Sequence, residues 1–225
     1  MPTLPPTRPA LTARSASAEA DAIGAASLVL AATLLTELRA HHAATAAHCL
    51  RVARLVARVA PHLPGEPWRG RVAEVYAAAA LHDIGKLLLP RTTLTAARAL
   101  TCAEWTCMTR HPSHGRAVLR QDETALAAAS PLLVEAAWGH HEWWDGSGRG
   151  YPQRLAGEQI PAIARLVGLC DSYDAMTAED RPYRAGLTPA GALREIERGA
   201  GTQFDPQLVA WVLTQGLLAD DESAA

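Results

Sequence analysis

His82 and Asp83 stand side by side at the end of an Ala- and Leu-rich run, Val72 to Leu81, whose pattern reads as a buried helix. A carboxylate in such a place is costly unless it is paired or binds a metal. Other residues of the same chemistry follow: His48, His111, the doublet His140-His141, and Asp171 within an otherwise apolar helix (Ile163, Leu166, Val167, Leu169). Imidazole and carboxylate are donors that divalent first-row metals accept. Neighbours on a helix point about 100° apart, so a doublet at a helix end can reach two positions on one metal or two different metals. A carboxylate can bridge such a pair, and two metals about 3.5–4 Å apart can hold a hydroxide and clamp a phosphoryl group. The chemistry expected is metal-assisted hydrolysis.

Ordinary readings compete at several positions. His41, His42, His62 and His114 are expected to be structural, with His41 and His42 on a solvated turn. Trp105, Trp138, Trp143, Trp144 and Trp211 read first as packing residues, with Trp143 and Trp144 set apart by their place beside the His doublet. The cysteines Cys49, Cys102, Cys107 and Cys170 match neither a zinc knuckle nor a CxxC redox pair, so they read as free thiols in a reducing cytoplasm. The formal net charge of −2 argues against binding a DNA or RNA polymer, which demands a basic face.

The elements that must position these residues are helical. With 225 residues and few aromatics, the chain suits a single domain built as an all-α bundle. Residues 1–17, rich in Pro, Thr, Ala and Arg, read as a disordered or linker N-terminus, and 219–225 as a flexible tail. Helices are expected over Ala18–Arg39, Ala43–Val59, Arg71–His82, Pro131–His141, Pro161–Met176, Pro189–Arg198 and Asp205–Leu218. Thr101 and Glu104 have the spacing of a capping box, and Pro112 suits the first turn of the helix after it. Asp145–Gly157 is a glycine-rich loop. No secretory signal is evident, and the most apolar run, Ala22–Leu35, falls short of the ~20 residues that span a bilayer.

Taken in order, HDIGK (His82–Lys86), EW..M..HP..G (Glu104–Gly115), HHE..DGSG..GYP (His140–Pro152), IP..AR (Ile160–Arg165), D..DAMT (Asp171–Thr177), RPYR (Arg181–Arg184) and GAGTQFDP (Gly199–Pro206) resemble the HD-GYP domain, over roughly His48 to Leu213. That resemblance implies a catalytic domain over 43–218, preceded by a helix over 18–42. It implies a helical metal-dependent phosphohydrolase, whose best-known relatives open the bacterial second messenger cyclic di-GMP to linear pGpG and often to GMP. It also implies roles. His48, His82, Asp83 and Asp171 would hold one metal, with Asp83 bridging to a second completed by His111, His140 and His141. Lys86 would contact the phosphate, Arg181 and Arg184 would hold the dinucleotide, and the Gly150-Tyr151-Pro152 loop would line the site. In some relatives that loop also contacts diguanylate cyclase domains. Glu142 is cast as an orienter of the ligands, with Asp145 beside it. The donor set suits iron or manganese, with zinc, magnesium, nickel and cobalt as alternatives.

Three departures from the family pattern stand out. Arg149 and Gly150 lengthen the loop before Tyr151 by two residues, and the spacing from Thr177 to Arg181 is about one residue longer than usual. Ala44 occupies the place of a Glu that gives some relatives a third metal, so two metals are expected. Three functions remain open at this level: a cyclic di-GMP phosphodiesterase, a hydrolase of another cyclic or linear dinucleotide, and a slow metal-bound sensor or interaction module. The Ala-rich N-terminal helix suits either packing on the bundle or a homodimer contact.

Overall fold

The computed structural model describes residues 10–65, 68, 70–121, 130–178 and 186–218, with side chains from residue 18 onward. The helices are α1 (Ala10–His41), α2 (Ala43–Val59), α3 (Val72–Ala80), α4 (Arg91–Leu94), α5 (Cys102–Met108), α6 (His111–Gln121), α7 (Leu132–Gly139), α8 (Ala162–Thr177), α9 (Pro189–Arg198) and α10 (Pro206–Gln215). Among the described residues there is no strand, only an isolated bridge between Ala200 and Phe204. The all-α reading therefore holds.

The central element is α3. Ala77, Ala78, Ala79 and Ala80 are fully buried in succession, so the last turn of this helix is covered on every side. It packs against α1, α2 and α7, and short alanines let those neighbours come close. α2 lays Cys49, Val52, Ala53, Val56 and Val59 into the same core at helical spacing. From the far side α8 contributes Ile163, Leu166, Val167, Leu169 and Cys170. Several helix ends follow local rules. Thr101 and Glu104 form the expected capping box, Asp205 caps α10 through the amides of Gln207 and Leu208, and Gly216 closes that helix in the left-handed region at φ 63°.

α1 corrects two expectations. It begins at Ala10 rather than Ala18, inside the stretch read as disordered or linker. The length argument against a membrane span does not hold for the whole helix either. Its Ala18–His41 stretch of 24 residues, mean hydropathy 1.5, is long and apolar enough by length and composition. In this structure one face, at Gly24, Ser27, Ala31 and Leu38, is buried in the bundle. Ser27 Oγ also accepts the amide of Ser130, 3.0 Å away, tying α1 to the segment before α7.

His41 and His42 are not on a solvated turn. Both are half-buried. His41 Nε2 lies 3.0 Å from the Leu89 carbonyl, and His42 Nδ1 caps α2 by accepting the Thr45 amide at 3.3 Å. All four cysteines are free, with Cys49 and Cys170 buried.

Candidate metal centre

α3 ends at Ala80, and the chain turns through Leu81, His82 and Asp83 into a short 3-10 segment, Ile84–Leu88. Gly85 makes that turn fit: a Cβ there would sit 1.9 Å from the His111 carbonyl oxygen and 2.3 Å from the Gly115 amide nitrogen. The turn therefore lies directly against α6, whose first residue is His111. The His140-His141 doublet follows the end of α7, and Gly168 lets α8 pass close beside it, since a Cβ at 168 would approach the His140 carbonyl oxygen to 2.5 Å. His48 enters from α2 and Asp171 from α8. Five separate elements thus converge on one point.

Asp83 is at the centre, and its two oxygens face different partners. Oδ1 lies 3.1 Å from His111 Nε2 and 3.8 Å from His140 Nε2. Oδ2 lies 3.6 Å from His82 Nε2 and 3.9 Å from His48 Nε2. His48 Nε2 is also 3.0 Å from Asp171 Oδ1. Among the described residues three groups of donor atoms are close enough to hold an ion: Asp83, His111, His140 and His141, beside them His48, His82 and Asp171, and Cys49 with His82 and Asp83, the last with a thiol that burial keeps protonated. The seven residues expected as ligands are all brought together.

The ring orientations fit metal binding. Nδ1 of His82, His111 and His140 lies 2.7, 2.8 and 3.0 Å from the carbonyl oxygens of Ala79, Met108 and Ala136 respectively. A carbonyl only accepts, so each Nδ1 carries the proton and each Nε2 presents a lone pair to the centre. His82 Nε2 is buried with no hydrogen-bond partner, an orphan that a cation would satisfy. Such anchoring of the outer nitrogen is how proteins orient metal-binding imidazoles.

The electrostatics agree. Burial pushes His82 and His140 below the ordinary imidazole range, and His141 down to about 3, so these rings are neutral and ready to donate. Burial alone would raise Asp83, but the charge of Lys86 beside it outweighs this and holds it well below the usual carboxylate value. Burial would likewise lower His48, yet its hydrogen bonds to Asp171 and Asp174 outweigh this and bring it to about 9. Lys86 Nζ bonds to Asp83 Oδ2 and lines the open pocket of about 580 Å³ above the cluster, together with Tyr151, Trp105 and Ala178.

The surrounding residues differ from expectation in two places. Glu142 does not bond to a ligand ring. Its carboxylate accepts the amides of Gln153 (2.6 Å) and Leu155 (2.9 Å), gripping the loop that carries Tyr151. Asp145 is exposed and accepts the Ser147 amide at 2.8 Å, so it shapes its own loop rather than orienting a ligand. Tyr151 stacks on His141, with ring centroids 4.7 Å apart and 25° between planes. Arg181 and Arg184 lie outside the described residues.

Sequence reasoning missed Asp174 and Arg51. Asp174 Oδ2 is 2.7 Å from His48 Nδ1, and Arg51 holds the same carboxylate with Nε–Oδ1 at 2.7 Å and Nη2–Oδ2 at 3.0 Å. Each sits three positions after an expected ligand, Arg51 after His48 on α2 and Asp174 after Asp171 on α8, hence on the same face. That spacing was the available signal.

Comparison with known proteins gives a consistent family. A family model described as HD domain matches residues 13–208. A cyclic di-GMP phosphodiesterase of Vibrio cholerae is 37% identical over 173 residues, covering 73% of this chain and 35% of the relative. A 3′3′-cGAMP-specific phosphodiesterase of the same organism is 34% identical over 180 residues, covering 80% and 33%. The chain thus spans about a third of the length of these curated relatives. Among solved structures, the HD domain of the L. monocytogenes phosphodiesterase PgpH, in complex with cyclic-di-AMP, superposes with a TM-score of 0.59 at 17% identity, covering 83% of this chain and 94% of that one. At that identity the likeness is one of fold.

Proposed function

The chain belongs to the HD domain family, of the HD-GYP type, and from that premise we propose that it is a metal-dependent phosphodiesterase opening cyclic di-GMP to pGpG and onward to GMP. The observation that carries this reading is the division of Asp83, with one oxygen facing His111 and His140 and the other facing His48 and His82. A carboxylate so placed suits a shared ligand between two divalent ions, held by His48, His82 and Asp171 on one side and by His111, His140 and His141 on the other. Iron or manganese fits this nitrogen and oxygen donor set. When bound, such a pair supplies Lewis-acid stabilisation of a phosphodiester and a nucleophile drawn from water at neutral pH.

The chain's own residues do the rest. Lys86 brings a positive charge to the pocket floor, where it offsets charge growing on the phosphoryl oxygens. Tyr151, steadied on His141, forms one wall of the pocket. Ala178 lines the pocket, and the segment after it carries Arg181 and Arg184, which we assign to holding the dinucleotide. Asp174 and Arg51 hold His48 in place. A cytoplasmic second messenger as substrate puts this domain in the cytoplasm.

A second substrate has specific support. The similarity to 3′3′-cGAMP-specific relatives and the longer loop before Tyr151 both bear on which purine fits. The test is to incubate anaerobically purified, iron- or manganese-loaded protein with cyclic di-GMP and with 3′3′-cGAMP, separating nucleotides by chromatography. The reading expects pGpG and GMP from cyclic di-GMP. Faster loss of 3′3′-cGAMP would shift the substrate. Binding of either without turnover, at full metal content, would make the domain a sensor.

A further inference from the structure

A second groove opens beside the metal pocket. It has a volume of about 520 Å³, and it shares two walls with that pocket, Trp105 and Tyr151. Trp105 is 56% exposed, although it is large and apolar. Beyond it the groove is walled by Trp143 and by two guanidinium groups, Arg149 and Arg154. Arg149 belongs to the two-residue lengthening of the loop before Tyr151. Its guanidinium lies 5.4 Å from the Trp143 ring centroid.

Arg154 is the one described non-glycine residue with a left-handed backbone, at φ 60°. Such a conformation costs free energy for a side-chain-bearing residue and persists where the surroundings over-determine it. Here they do, because Glu142 accepts the amides on both sides of it, from Gln153 and Leu155. Among the described residues, no acidic one lines this groove. Asp145, which feels the charge of Arg149, has its carboxylate engaged with the Ser147 amide.

Aromatic faces beside arginines are the chemistry that takes a base and its phosphate. A cyclic dinucleotide has two phosphodiesters and two purines, and only one phosphodiester can lie at Asp83. The other nucleotide lies away from Asp83, and this groove opens there, next to the metal pocket. We propose that the groove between Trp105, Trp143 and Tyr151 is the subsite for this second nucleotide, with a purine against the aromatic faces and the distal phosphate facing Arg149 and Arg154. The inference rests on the phosphodiesterase reading and adds to it the residues that distinguish a dinucleotide from a small diester.

The test uses the metal-loaded full chain and the variants Arg149→Ala, Trp105→Ala and Arg154→Gly, with Arg198→Ala as an exposed control remote in sequence. Glycine at 154 suits the observed backbone, so that variant keeps the fold while losing the charge. Steady-state rates are measured on cyclic di-GMP and on bis(p-nitrophenyl) phosphate, which has no second nucleotide. The expected result is a KM for cyclic di-GMP raised about tenfold in each groove variant, in line with the loss of one stacking or charged contact. The expected kcat stays within about twofold, and the small diester, like the Arg198→Ala control, shows no comparable shift. Unchanged KM for cyclic di-GMP in all three variants, with active parent enzyme, would overturn the subsite alone. Equal losses on both substrates would also overturn it, assigning these residues to the fold or the metal centre. Parent enzyme that cleaves the small diester but no cyclic dinucleotide would overturn the phosphodiesterase reading, and the subsite with it.

Discussion

Nε2 of His111 lies 3.3 Å from Nε2 of His140, and both rings have their other nitrogen at a backbone carbonyl. Two buried lone pairs therefore face each other across a gap that Asp83 Oδ1 also borders. A divalent cation bound there would turn this repulsion into attraction. Binding to the folded state alone should then raise stability, by about 2.7 kcal/mol at a hundred times the dissociation constant. Thermal melts with and without manganese, and after chelation, check it. A Tm indifferent to metal would contradict the geometry.

With His48 as a ligand, metal would compete with protons for its ring. Its pKa of about 9 without metal means that the ring is charged at neutral pH, whereas a ligand imidazole must be neutral. Metal uptake between pH 7 and 8 should release close to one proton from this ring, and affinity should fall as pH is lowered. Calorimetric titrations in two buffers of different ionisation enthalpy measure that release. In the metal-free protein the sign for stability is opposite. The raised pKa stabilises the fold fully below the ordinary value of 6.5, and that contribution disappears as pH rises through about 9. Equal heats in both buffers would count against a charged His48.

Gly85 has no room for a side chain. The atoms a Cβ would meet are backbone, the His111 carbonyl and the Gly115 amide, which cannot swing aside. Gly85→Ala should cost about 3 kcal/mol through forced backbone separation and weaken metal binding by moving His111. Urea denaturation gives the first number and elemental analysis the second. A loss under about 1 kcal/mol would mean that the turn and α6 are not in contact.

Glu142 grips a loop rather than a ligand. Glu142→Gln replaces one of the two acceptor oxygens with a donor, leaving either the Gln153 or the Leu155 amide without its partner. Activity on the cyclic dinucleotide should fall about tenfold, the equivalent of one amide hydrogen bond lost from the loop that carries Tyr151, with metal content unchanged. Lost metal instead would place Glu142 with the ligands.

Much of this site could be read from the sequence because several expected ligands break a local pattern: His82 and Asp83 end a run of alanine and leucine, and Asp171 interrupts an apolar helix stripe. Local chemistry also marked α2, α9 and the Thr101–Glu104 cap. What escaped depends on distant pairing. Asp174 meets His48 and Arg51 from 126 and 123 positions away, and on its own helix it looks like any polar residue. Glu142 reads as a neighbour of the His doublet, yet its partners are amides that only the returning loop supplies. The start of α1 was hidden because alanine, serine and threonine suit a linker as well as a helix whose stability comes from packing.

The central claim is that Asp83 joins two metal sites into one hydrolytic centre. Metal content per chain and cyclic di-GMP turnover, measured side by side for the parent protein and the His82→Ala/Asp83→Ala variant, test it directly. The account predicts about two metals and turnover in the parent, with both lost in the variant while its helical circular dichroism remains. A variant that keeps its metal and full activity would contradict it.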